Sequence, residues 1–192
     1  MFTYKTIEGF LTESECENII EYSTSKFELH AGKLIGRVSN ENVRKSNIAH
    51  INYNDQFPYF SAKIKNEIIP LFDLKGVELD DTFENTFQFT KYGQGDFYDW
   101  HTDSVNRNTD LSNKRYCSIV IQLNNEYEGG DLEMRPFNEL DDIIVFKRGI
   151  GNMFIFLSDI EHRVSPVIKG VRHSIVGWFY LKKNNDYKKT LI

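Results

Sequence analysis

The sequence predicts a mainly β protein, a jelly roll preceded by helices, and three observations lead there. From Thr82 onward, short runs rich in Ile, Val, Phe and Tyr recur at intervals of about 8–15 residues, punctuated by Gly129-Gly130, Gly149 with Gly151, and Gly170. Aromatic residues make up 14% of the 192-residue chain, 15 of them Phe and 10 Tyr, which is strand composition. The first 82 residues differ, carrying apolar side chains at helical spacing.

Taken in order, Thr12-Glu13-Ser14-Glu15 has the capping-box form and leads into Cys16, Ile19 and Ile20, one face of a first helix. A second helix is expected within 55–74, where Phe60, Ile64, Ile68, Leu71 and Phe72 recur every three or four residues. Between them, 44–53 alternates as a single strand. Eight further strands are expected at about 83–92, 97–103, 115–124, 131–135, 142–147, 152–157, 161–168 and 172–181. Their number and spacing suggest a double-sheet jelly roll, and an up-and-down barrel has the same periodicity. The length fits one domain: a helical support over 1–82, a jelly-roll core over 83–181, and a polar tail over 182–192.

Composition excludes several classes of function. Lys plus Arg is 23 against 28 Asp plus Glu, a formal charge of −5, so no overall basic field favours nucleic acid. The longest apolar run, Met153 to Leu157, is far short of the ~18 residues that read as a membrane span. Met1 to Phe10 contains Lys5 and Glu8 and offers no signal-peptide core, so a soluble, cytoplasmic protein is expected. Cys16 and Cys117 lack CxxC spacing, which argues against a disulfide framework or a thiolate zinc site.

The chemistry concentrates in Tyr92-Gly-Gln-Gly-Asp-Phe-Tyr98-Asp-Trp100-His101-Thr-Asp103. His101 and Asp103, two apart on a strand, point to one face and suit two ligands of one metal. His162, on a later strand, is the candidate third ligand. Two imidazoles and one carboxylate on one side of an octahedral metal leave open positions opposite, the arrangement of non-haem Fe(II) oxygenases. Alternatively, such an HxD pair arises by chance and its histidine is a hydrogen-bonded structural residue. His30, His50 and His173 have no carboxylate at that spacing and read as structural or exposed. Arg172, ten residues after His162, lies in the apolar strand from Val171 to Leu181 and requires a buried anion. An internal Asp or Glu would serve; so would a ligand carboxylate, which the planar guanidinium grips through two parallel bonds. Beside a metal triad, a chelating dicarboxylate such as 2-oxoglutarate satisfies both groups.

At these positions the chain resembles the 2-oxoglutarate and Fe(II)-dependent dioxygenases of the prolyl 4-hydroxylase class. Tyr92, Gly93-Gln94-Gly95, Tyr98, His101 and Asp103 are followed in order by Gly129-Gly130-Asp131-Leu132, His162, Arg172 and Trp178, across about residues 83–181. Collagen-type members place Lys at the basic position, whereas Arg172 is similar to the oxygen-sensing and related bacterial prolyl hydroxylases. The resemblance implies a double-stranded β-helix with Fe(II) on His101, Asp103 and His162. It implies 2-oxoglutarate against Arg172, Tyr92, Gln122, Leu132 and Ser174, with O2 as co-substrate and ascorbate as a stimulant. Tyr98, Arg115 and Trp178 would position the substrate. The polar stretch 104–114 would be a loop that closes over a peptide.

The implied reaction is hydroxylation of a prolyl residue in a proline-containing peptide or protein, with release of succinate and CO2. A small-molecule or other side-chain hydroxylase is the nearest rival. A non-catalytic jelly-roll binding module is the rival from another class, since jelly rolls host many functions. A broken triad or a missing basic residue would mark that module, and neither is found.

Overall fold

The computed structural model describes residues 4–32, 40–80, 86–104, 115–136 and 143–182. Strand β1 (Tyr4–Ile7) precedes helix α1 (Glu13–Lys26), then β2 (His30–Ala31), β3 (Arg44–Lys45), β4 (Asn47–Asn52), a tight helical turn at Tyr53–Asp55 and helix α2 (Phe60–Asp73). The later strands are β5 (Thr86–Tyr92), β6 (Phe97–His101), β7 (Arg115–Gln122), β8 (Tyr127–Gly129), β9 (Leu132–Arg135), β10 (Ile144–Val145), β11 (Met153–Leu157), β12 (Glu161–Val164), β13 (Val167–Gly170) and β14 (Arg172–Tyr180).

The capping box at α1 forms as expected: the Glu15 N–H donates to Thr12 Oγ1 at 3.2 Å, and Glu15 Oε2 accepts from the Thr12 N–H at 2.7 Å. The helix presents Cys16 and Ile19 to the core, and α2 presents Phe60, Ile64, Ile68 and Phe72. Both pack on one face of a seven-stranded sheet in the order β1-β11-β7-β14-β5-β4-β2. The opposite face of that sheet packs on a five-stranded sheet, β10-β9-β12-β6-β3. Period-two alternation decides which layer each residue joins. Along β7, Cys117, Ile119 and Ile121 face the helices, while Val120 joins the core between the sheets. Along β11, Met153 and Ile155 face the helices, and Phe154 and Phe156 the second sheet. Both faces are covered, which explains why these central strands read as continuous apolar runs. Sheet neighbours are mostly not consecutive in the chain, so the fold is a jelly roll and not an up-and-down barrel.

Several expected elements divide. The strand expected at 44–53 is two: β3 pairs with β6 in the smaller sheet, and β4 with β5 in the larger, with buried Ser46 at the switch. The strand expected at 161–168 breaks at Ser165-Pro166, because proline has no N–H for a ladder, and β13 pairs with β8 instead. Strands β1, β2 and β8 were not anticipated; each has at most four residues, too few for periodicity to register. The first 82 residues therefore supply strands to both sheets as well as two helices. Most of the loop 104–114 and of the tail 182–192 lies outside the described residues. Among the described residues, no helix is long and apolar enough to cross a membrane.

Candidate functional site

His101 ends β6, and His162 on β12 is its direct cross-strand partner. Asp103 follows two residues later, its N–H donating to the Ser158 carbonyl at 2.9 Å. Register thus brings together two histidines that are 61 residues apart in the chain (162 − 101). The Nδ1–H of His101 donates to the Asp99 carbonyl at 2.7 Å, and that of His162 to the Ile160 carbonyl at 3.0 Å. A carbonyl can only accept, so both rings donate through Nδ1, which leaves Nε2 as the atom each can offer to a metal. Those two Nε2 atoms lie 3.7 and 3.5 Å from Asp103 Oδ1 and Oδ2, and the three potential ligand atoms all fall within 4.8 Å of one another. Ligands about 2 Å from a common ion would draw together to neighbouring separations of about 3 Å.

The electrostatics suit a cation. Burial, reinforced by His162, pushes His101 down to about 3, so the ring stays neutral. Burial alone would raise the Asp103 carboxyl, but His162, His101 and the Ser118 hydroxyl together hold it below its usual 3.8. A neutral His101 and an ionised Asp103 are in the protonation states that a metal requires of its ligands. Ser118 Oγ donates to Asp103 Oδ2 at 2.8 Å and contacts Ser158 Oγ, also at 2.8 Å. Neither serine was picked out from the sequence; the available signal was Ser118, a lone hydroxyl within the apolar run from Cys117 to Ile121.

The triad opens onto a cavity of about 400 Å³ between the two sheets. Arg172 lies at one end, 1% exposed, paired across the strands with Tyr92. Its Nη1 donates to Ser174 Oγ at 3.0 Å, while Nε and Nη2 have no hydrogen-bond partner among the described residues. Among the described residues, no Asp or Glu, the ordinary answer for a buried arginine, partners it. Two unsatisfied donors on a buried cation fit an incoming carboxylate.

Ten of the eleven expected site residues line this cavity: Tyr92, Tyr98, His101, Asp103, Arg115, Leu132, His162, Arg172, Ser174 and Trp178. Gln122 does not. Its amide donates to the Asn124 carbonyl at 3.1 Å, so it is turned away from the space where co-substrate contact was expected. The Arg115 guanidinium lies over the Trp178 ring at 3.6 Å. Tyr98 stacks on His101 with centroids 3.5 Å apart, and burial pushes its hydroxyl up to about 12, so it remains a donor.

The cavity also includes residues that sequence reasoning passed over. His30 and His50, read as structural or exposed, stand in its wall, as does Gln88. Arg44 also lines the cavity, its guanidinium over the Tyr98 ring at 4.5 Å from the centroid and its Nε donating to Ser46 Oγ at 2.8 Å. A signal for it existed. Arg44-Lys-Ser46 repeats the Arg172-His-Ser174 pattern, and in both the arginine bonds the serine two residues on.

Residues 87–180 match the model of the 2OG-Fe(II) oxygenase superfamily. A PKHD-type hydroxylase of Acidovorax ebreus is 29% identical over 115 residues, covering 55% of this chain and 47% of that protein. One from Synechococcus sp. strain CC9311 is 28% identical over 188 residues, covering 92% of this chain and 78% of that protein. The chain thus spans about half the length of the first curated relatives it matches, 47% and 45%. Among solved structures, a prolyl hydroxylase of Trichoplax adhaerens in complex with a hypoxia inducible factor oxygen degradation domain peptide aligns with a TM-score of 0.77 at 19% identity, over 93% of this chain and 83% of that one. A prolyl-4-hydroxylase of Pseudomonas putida aligns with a TM-score of 0.69 at 22% identity, over 94% of each chain.

Proposed function

From the premise that this chain carries a 2OG-Fe(II) oxygenase domain of the prolyl-hydroxylase class, we propose that it hydroxylates a prolyl residue in a peptide or protein. Fe(II), 2-oxoglutarate and O2 are the cofactor and co-substrates that this family implies. The single observation that carries the reading is Arg172, a buried guanidinium with two unpartnered nitrogens in the same cavity as the His101, Asp103 and His162 cluster.

The residues present fit both groups. His101, Asp103 and His162 would hold the iron through Nε2, a carboxylate oxygen and Nε2. Arg172 would pair with the far carboxylate of 2-oxoglutarate, Ser174 keeping the guanidinium turned toward the cavity. Tyr92 and Leu132 would flank the co-substrate, one polar and one apolar. Bound iron, 2-oxoglutarate and O2 supply the oxidising power, converting 2-oxoglutarate to succinate and CO2 and delivering one oxygen atom to a C–H bond.

The protein's contribution is orientation and exclusion of water. Val120, Val164 and Val176 give the cavity apolar walls, which keep solvent from the oxidising centre. Arg115, held over the Trp178 ring, builds a wall of the cavity that Asp103 also lines, against which a saturated five-membered ring can pack beside the metal. Tyr98, protonated and stacked on His101, fixes the imidazole plane and leaves a hydroxyl donor for a substrate carbonyl.

The test is turnover of a library of proline-containing peptides with Fe(II), 2-oxoglutarate and O2. Succinate formation should match, mole for mole, the appearance of hydroxyproline in one peptide class. Succinate without any oxidised peptide, but with an oxidised small molecule such as free proline, would overturn the peptide assignment. No 2-oxoglutarate consumption with any substrate would overturn the enzyme reading in favour of a binding module.

A further inference from the structure

Resting on the reading of Arg172 as the carboxylate anchor, we propose that Asn124 and Arg148 are positioning residues that fix Arg172 from two sides. An arginine side chain has many rotamers to lose on ordering, so it anchors a ligand well only if its stem and backbone are already held. Arg172 is the first residue of β14, where a strand would ordinarily fray. The ladder between β7 and β14 reaches Ser174 opposite Gln122, and the Leu123 N–H then donates to the His173 carbonyl at 3.1 Å.

Beyond that point the Asn124 side chain continues the ladder. Its Nδ2 donates to the Val171 carbonyl at 2.7 Å, and its Oδ1 accepts from the His173 N–H at 2.8 Å. One amide therefore bridges the two residues that flank Arg172. The partners are a carbonyl and an N–H, which fixes the orientation of the amide. Gln122 belongs to the same assembly, because its amide ties the Asn124 carbonyl.

The Arg172 stem is held from the other side. Arg148 donates from Nε to Asp131 Oδ1 at 2.8 Å, from Nη1 to the Tyr127 carbonyl at 2.7 Å, and from Nη2 to the Gly129 carbonyl at 2.7 Å. Those three bonds tie down the turn from β8 to β9. At its centre Gly130 has φ +64°, and a Cβ there would lie 3.3 Å from Arg172 Cδ and 2.9 Å from Val167 Cγ2. Only a residue without a side chain lets this turn lie against the arginine stem. Neither Asn124 nor Arg148 lines the cavity, so both act through Arg172.

The experiment compares the full chain with Asn124→Ala, Arg148→Lys and Arg172→Ala, singly and with each of the first two combined with the third. Calorimetric titration of 2-oxoglutarate into Mn2+-loaded protein gives affinity without turnover, and steady-state assays separate KM from kcat. Asn124→Ala and Arg148→Lys should each weaken 2-oxoglutarate binding by about tenfold and raise its KM, with kcat and the KM for peptide little changed. Lys keeps the charge but cannot span two carbonyls and a carboxylate. In the Arg172→Ala background neither change should weaken binding further, because residues acting through one group are not additive. A folded single variant with affinity within about twofold of the parent overturns the positioning role, as does a full loss persisting without Arg172. If Arg148→Lys does not fold, Asn124→Asp, which keeps the acceptor but loses the donor, carries the same comparison. Unchanged affinity in Arg172→Ala itself overturns the anchor assignment instead, so the two failures are distinguishable.

Discussion

Replacing Ser118 with Ala is expected to loosen the metal centre while leaving the cavity walls in place. Ser118 is fully buried on β7, and its Oγ donates to Asp103 Oδ2 at 2.8 Å. A hydroxyl has one proton, so the 2.8 Å contact with Ser158 Oγ must run the other way, Ser158 donating and Ser118 accepting. The substitution removes a hydrogen bond to an ionised carboxylate, worth about 1.5–3 kcal/mol, and strips the Ser158 hydroxyl of its acceptor. Asp103 then keeps its backbone bond to Ser158 but loses the contact that fixes its carboxylate plane. If most of that energy orients the ligand, metal affinity falls by about 10–100-fold, which is about 1.4–2.8 kcal/mol. Anaerobic calorimetric titration with Fe(II) or Mn2+ measures it, with thermal unfolding as the control for folding. At saturating metal, the affinity for 2-oxoglutarate should stay within about twofold of the parent, because Arg172 and Ser118 share no bond. A folded Ser118→Ala protein with unchanged metal affinity would refute the reasoning, showing that backbone placement alone orients Asp103.

Four further substitutions have outcomes that the structure specifies. Asp103→Ala should leave a folded protein that retains no Fe(II)-dependent turnover, since its Oδ atoms are the only carboxylate oxygens in the three-residue cluster; circular dichroism and succinate release check the two halves. Thr12→Ala should lower stability by about 1 kcal/mol in urea unfolding without changing KM, because it removes the α1 cap far from the cavity. The partner Glu15 is held below its usual 4.5, chiefly by the Thr12 backbone N–H, so its stabilisation is present above that value and lost as pH falls through the lower folded value; Glu15→Gln should flatten that acid limb. Gly151→Ala should destabilise by more than about 1 kcal/mol, because at φ +74° an added Cβ runs into the Leu11 carbonyl; an unfolding midpoint equal to the parent's would contradict the geometry.

The His101 and Asp103 half of the candidate metal site was legible because it is written in local spacing. His101 and Asp103 sit two apart, and a strand converts that spacing into a shared face without help from the rest of the fold. Arg172 was legible for an energetic reason: a charge in an apolar strand must find an anion. Ser118 and Ser158 were not, because a buried hydroxyl carries no sequence mark of which carboxylate it will meet. Gln122 was misplaced for a related reason. It lies on the expected strand and the expected face, yet the conformation of its flexible side chain is set by the Asn124 carbonyl, a partner that only the turn after β7 provides. The split of 44–53 likewise depends on which sheet has a free edge beside each residue, and no local periodicity encodes that.

The sequence by itself determined the two helices, most of the strand positions, the shared face of His101 and Asp103, and the demand of Arg172 for a partner. These follow from properties carried by a few neighbouring residues: capping geometry, period, and the expense of burying charge. Only the tertiary structure decided that His162 stands directly opposite His101, that Arg44 shares the cavity with Arg172, and that Asn124 and Arg148 close around the arginine. Each of those depends on the pairing of segments distant in the chain. Register between such strands is selected by the whole core at once, because a one-residue slip would turn every buried side chain outward.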